Sequence, residues 1–146
     1  MRTGRKPEKW IFMLMPKKTK YRKSHKPKRG GKATRLVKIS FGNFALKSMS
    51  AHWVSSRQIE AARRVMSRFT KRGGKIWIRI FPDVPITKKG GEIPMGKGKG
   101  AVDYYVANVK PGMIMFEMDG VALDIAKEAM NLAAYKLPVK CKFIAK

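Results

Sequence analysis

The sequence predicts an α+β protein: a two-layer sandwich of two helices on a mostly antiparallel or mixed sheet, with a basic N-terminal arm and a long glycine-lysine hairpin loop. Three observations predict this. Short apolar runs, some alternating, are closely mixed with only two segments of helical periodicity, a pattern that belongs to α+β folds. The 146 residues, 44% of them hydrophobic, are enough for one core. The first 38 residues hold fifteen Lys and Arg against the single acid Glu8, whereas residues 101–137 hold three bases and five acids. One end is therefore built to meet a polyanion, and the other reads as an ordinary globular surface.

Residues 1–35 form the expected arm and residues 36–146 a single α+β domain. The stretch PKKTKYRKSHKPKRGGKATR, from Pro16 to Arg35, has almost no apolar residues and both proline and Gly-Gly. Alone in water such a composition stays disordered. Lys17, Lys18, Lys20, Arg22, Lys23, His25, Lys26, Lys28 and Arg29 are expected to order on RNA phosphates. Tyr21 adds a face for stacking on a base or ribose, which a plain solubility tail does not require.

Beyond Arg35, LVKISFG and FALKSMSA read as two strands joined at Gly42-Asn43. Ser55 followed by Gln58 fits a capping box that opens the helix SSRQIEAARRVMSRFTKR. Ile59, Ala62, Met66 and Phe69 make its apolar stripe. Arg63, Arg64, Arg68, Lys71 and Arg72 are its candidate phosphate contacts, with Glu60 the one acid available to balance them. In KIWIRIF, Ile76, Ile78 and Ile80 alternate with Lys75, Trp77, Arg79 and Phe81. That second face is open to two readings, cover by the same chain or contact with RNA. Pro82, Pro85 and Lys88-Lys89-Gly90-Gly91 then break regular structure in a mobile loop over residues 87–100. AVDYYVANV and MIMFEMDG read as strands joined at Lys110-Pro111-Gly112. The helix ALDIAKEAMNLAAYKL carries the stripe Ile125, Ala126, Ala129, Leu132 and Ala133, and Pro138 stops it. VKCKFIA closes the chain, with Cys141 a small core residue.

A formal charge of +25 opposes compaction unless a polyanion neutralises it, and nucleic acid is the first candidate. The best apolar run, WIFMLM at Trp10 to Met15, is six residues, against the roughly twenty needed to span a bilayer. It is also short for a signal-peptide core and lacks a cleavage site. The expected compartment is the cytoplasm, with an organelle matrix as second choice and no membrane partner. One cysteine and two distant histidines, His25 and His52, assemble neither a metal site nor a nucleophile-base pair. No enzyme activity and no cofactor are expected.

The segment PMGKGKG, Pro94 to Gly100, is not a P-loop, because Lys97 and Lys99 are each followed by glycine where a magnesium-binding hydroxyl is needed. It leads into a strand and so supplies no helix N-terminus for a pyrophosphate. Its glycines allow close approach to a nucleic acid backbone, and its lysines neutralise charge.

The runs SRQIEAARRVMSRFTKRGGKIWIRIFPDVPIT, MGKGKG, VKPGMIMFEMDGV and AAYKLPVK closely resemble the bacterial large-subunit ribosomal protein family numbered sixteen, counterpart of the archaeal and eukaryotic ten-e. MPKKTKYRKSHKP resembles its basic arm, so the likeness covers nearly the whole chain. The resemblance implies a hammerhead-like α/β sandwich and a structural protein of the large ribosomal subunit. The implied partners are large-subunit rRNA, neighbouring ribosomal proteins, and tRNA in the A site, with the P site as a second contact. It implies that Met95, Gly96, Lys97, Gly98, Lys99 and Gly100 form a tip pointing toward tRNA and the peptidyl transferase region. A homo-oligomer is not expected. Pro94 stands where the family often has Arg, so no role of that arginine carries over. MRTGRKPEKWIF precedes the family's usual start. The alternative reading is a free-standing RNA chaperone not resident on the ribosome.

Overall fold

The computed structural model describes residues 13–146. The upstream extension, including Trp10, Ile11 and Phe12, lies outside the described residues. The elements run β1 (Phe44–Ser48), β2 (His52–Ser55), α1 (Ser56–Phe69), β3 (Lys75–Ile78), β4 (Val84–Lys88), β5 (Ala101–Val109), β6 (Ile114–Asp119), α2 (Leu123–Ala134) and β7 (Cys141–Ala145). The fold is α+β with two helices and antiparallel pairing, as expected. The strands divide into two sheets, β3-β6-β1-β7 and β2-β5-β4.

Helix α1 begins where the sequence places it. The Ser55 hydroxyl accepts from the Gln58 amide, and the Gln58 side chain accepts from the Ser55 amide. Ile59, Ala62 and Met66 are fully buried and Phe69 is partly buried against the same core. That core gathers Leu46 of β1, Met115, Phe116 and Met118 of β6, and Ala126, Ala129, Met130 and Ala133 of α2. The small residues of α2 allow it to lie close to α1, against which it packs.

Several expected elements differ. Residues 36–42 form no strand, because the amides a ladder would use go elsewhere. Those of Ser40, Phe41 and Gly42 donate to the Glu117 carboxylate at 3.0, 2.6 and 2.9 Å. The first two strands are instead β1 and the short β2, and FALKSMSA is strand only as far as Ser48. Strand β4 occupies the stretch expected to be irregular. It is an edge strand, so the missing N–H of Pro85 leaves the ladder to β5 intact. On α2, Ile125 and Leu132 are exposed and Met130 takes their expected place in the core, since the buried face follows residues 126, 129, 130 and 133. Cys141 is partly buried at the edge of the core, and burial pushes its thiol up to about 11.

Only the middle of the second face of the KIWIRIF segment, Trp77 and Arg79, is covered by the chain itself; Lys75 and Phe81 at its ends are exposed. Ala45 and Trp77 both pair with Glu117 in register, so the three share one face. Phe41 lies over that face, stacked on Trp77 with ring centres 6.1 Å apart. Arg79 reaches the Glu117 carboxylate and places its guanidinium 5.0 Å from the centre of the Phe41 ring. Glu117 is completely buried.

Candidate nucleic-acid interface

Helix α1 ends in a tight turn. Thr70 caps it, its amide and hydroxyl both donating to the Met66 carbonyl. Lys71 and Arg72 then adopt φ of 53° and 62° and Gly74 one of 69°. Left-handed backbone at two consecutive side-chain-bearing residues costs about 1 kcal/mol or more each. The turn brings Lys71 and Arg72 to the mouth of an open cleft of about 1160 Å³. Arg63, Arg64 and Arg68 line it from the helix, Lys75 from β3 and Lys136 from the segment after α2. No carboxylate lines it.

The cations are not equivalent. Arg63 donates twice to Glu60, at 3.0 and 2.5 Å, and its side chain is half-buried. The Arg63 hydrogen bond holds the Glu60 carboxyl below the usual carboxylate range, against the opposing effect of burial, and Glu60 raises Arg63 in return. Arg64 reaches the same carboxylate only at 3.4 Å and stays 70% exposed. Arg64, Arg68, Lys71 and Arg72 therefore present more available charge than Arg63. The sequence singles out five cleft cations; it does not reveal Lys75 and Lys136, which only tertiary folding brings to the same rim.

The arm residues Lys17, Lys18, Lys20, Arg22, His25, Lys26 and Lys28 are exposed. Tyr21 is 72% exposed with the Lys20 ammonium 5.6 Å from its ring centre. Arg29 stacks on Trp53 of β2 at 4.3 Å. Further along, the Ala33 amide donates to the Pro111 carbonyl, and the Leu36 carbonyl accepts from the Ile114 amide.

The arm also meets the glycine-lysine loop. The Lys99 ammonium donates to the Ser24 carbonyl, and the Lys23 ammonium donates to the Lys99 carbonyl at 3.1 Å. Lys89 donates to the Gly96 carbonyl at 2.7 Å. Gly96, Lys97 and Gly98 have φ of 106°, 59° and 88°, so the tip turns through three successive left-handed residues. A Cβ at Gly96 or Gly98 would meet nothing, hence backbone conformation and not space calls for glycine there. Met95 is 95% exposed. Of the loop lysines, Lys97 has no such carbonyl partner among the described residues, whereas Lys89 and Lys99 brace the tip.

The family whose model matches residues 16–144 is described as ribosomal protein L16p/L10e. Large ribosomal subunit protein uL16c of Phaeodactylum tricornutum (strain CCAP 1055/1) is 60% identical over 134 residues, covering 92% of this chain and 97% of that protein. The uL16c of Thalassiosira pseudonana is 57% identical over 90% of this chain and 96% of its own length. The uL16 of Trichodesmium erythraeum (strain IMS101) is 56% identical over 92% and 98%. The chain belongs to the ribosomal protein L16p/L10e family. It is a structural, non-enzymatic component of the large ribosomal subunit. The expected cytoplasmic compartment is corrected. Relatives named uL16c carry the designation of chloroplast ribosomal proteins, which points to an organellar ribosome; nothing in the chain's charge pattern distinguishes the two compartments.

Proposed function

We propose that the arm and the α1 cleft hold large-subunit rRNA, and that the loop from Met95 to Gly100 contacts tRNA in the A site and, beyond it, the P site near the peptidyl transferase region. The particle is the large subunit of an organellar ribosome. The observation that carries this reading is the cleft itself, where seven cations from three parts of the fold converge without a carboxylate among the lining residues. Such convergence suits a phosphate backbone, whose charge density rewards several cations at fixed spacing. The loop's role follows from its exposure, its left-handed tip and the free ammonium of Lys97.

The test separates the two surfaces. Lys97→Ala, which leaves the Lys99 contact with the arm in place, should slow tRNA accommodation severalfold while leaving incorporation into the large subunit largely intact. Arg68→Glu with Arg72→Glu should lower incorporation. Normal translation by the loop variant, coupled with poor assembly, overturns this division of labour.

A further inference from the structure

We propose that the outward face of α2 docks a basic segment of a neighbouring protein and not RNA, an inference that rests on the chain working inside a ribonucleoprotein particle. Helix α2 turns Ala126, Ala129, Met130 and Ala133 inward. Its outer side leaves Ile125 43%, Leu132 36% and Tyr135 84% exposed. At 100° per residue, positions i, i+7 and i+10 fall within about 80° of one another and form one strip. Glu128 falls inside that strip and Asp124 borders it. Neither carboxylate has a salt bridge or side-chain hydrogen bond among the described residues. At its C-terminal end the strip runs into a groove of about 570 Å³, where Leu132 and Tyr135 meet Val65 and Phe69 of α1 and Arg68, Lys71 and Lys136 also line the wall. The basic part of the partner therefore belongs beside Asp124 and Glu128, and only an apolar anchor enters the groove.

The chemistry selects the occupant. An RNA backbone brought along this strip would meet two carboxylates without nearby cations other than Lys127, until it reached Lys136, Arg68 and Lys71 at the far end. Ile125 and Leu132 have no planar face on which a base could stack, and Tyr135, which has one, stands at the cationic end of the strip and not beside the carboxylates. Exposed apolar side chains rimmed by charge are the mark of a protein contact. In a chain of formal charge +25, two adjacent unneutralised acids on an apolar helix face call for a partner with apolar anchors and Lys or Arg beside them. Burying the apolar strip and pairing the carboxylates would then occur together.

The test uses the full chain in assembled large subunits. p-Benzoylphenylalanine replaces Leu132 in one version, Ile125 in a second and the exposed Arg64 in a third, and purified particles are irradiated. The expected adducts at Leu132 and Ile125 survive ribonuclease and contain a peptide of another protein with Lys or Arg within four residues of the attachment. The Arg64 adducts contain rRNA. Asp124→Lys with Glu128→Lys should lower the protein-adduct yield at Leu132 at least fivefold. Adducts to rRNA at Leu132 and Ile125, adducts to a peptide without nearby bases, no adduct at either position, or a yield indifferent to the charge reversal each overturn the proposal. Absence of the unsubstituted chain from the large particle would instead overturn the ribosomal reading.

Discussion

Glu117 accepts three backbone amides from residues 40–42 and the guanidinium of Arg79, and it is wholly shielded from water. Burial alone would raise its carboxyl. The amides of Ser40, Gly42 and Phe41, together with Arg79, outweigh burial and hold it below the usual value of 4.5. A carboxyl depressed on folding stabilises the fold above its unfolded pKa and loses that contribution as the pH falls through the folded value. Chemical denaturation of the isolated chain between pH 6 and 3 should therefore show stability declining below about 4.5, and Glu117→Gln should flatten that decline. Glu117→Ala leaves a buried guanidinium and three amides without partners. Removing one member of a buried pair costs about 3–5 kcal/mol, so a loss under about 1 kcal/mol would show that residues 40–42 are held by something else.

At the scale of elements, the join between α1 and β3 depends on close backbone approach. A Cβ at Gly74 would lie 2.5 Å from the Asp119 carbonyl oxygen and 2.9 Å from a methyl of Val121, and its φ is +69°. Gly112 has φ +92° with nothing nearer than 3.9 Å. Gly112→Ala should therefore cost only the left-handed backbone term, about 1 kcal/mol, while Gly74→Ala adds a clash with main chain and should cost about 2–3 kcal/mol more in thermal unfolding. Equal losses would mean that β3 and β6 shift apart freely. These same junctions mark what the sequence makes legible. The capping box, the α1 stripe and β5 are local patterns and stand where residue spacing places them. The fate of residues 36–42 was not legible, because it depends on a carboxylate 75 or more positions away. Strand β4 was hidden by prolines whose effect depends on whether a strand lies at an edge. Arg63, Arg64 and Arg68 could be read from one helical face and Lys71 and Arg72 from the basic run that follows it, but Lys75 and Lys136 could not, since no periodicity links them to α1.

Across the whole molecule, charge is sorted by surface. The arm, the loop and the α1 cleft are cationic, Glu60 neutralises only part of the helix face, and the solvent-facing acids of α2 stand apart from the cleft's lining. If the cationic surfaces act together on rRNA, each phosphate neutralised releases condensed counterions, and affinity must fall steeply with salt. With six or more phosphates engaged, binding of the full chain to large-subunit rRNA should weaken about a thousandfold or more between 50 and 200 mM monovalent salt. The slope of log affinity against log salt also reports on separate surfaces. Replacing Arg68, Arg72 and Lys75 by Ala should reduce its magnitude by roughly 2–3, close to one for each lost phosphate contact. Lys97→Ala should leave it nearly unchanged on free rRNA if the loop tip meets tRNA, as we propose. A triple cleft variant with the original slope would remove the cleft from the interface and leave the arm as the principal site of rRNA contact.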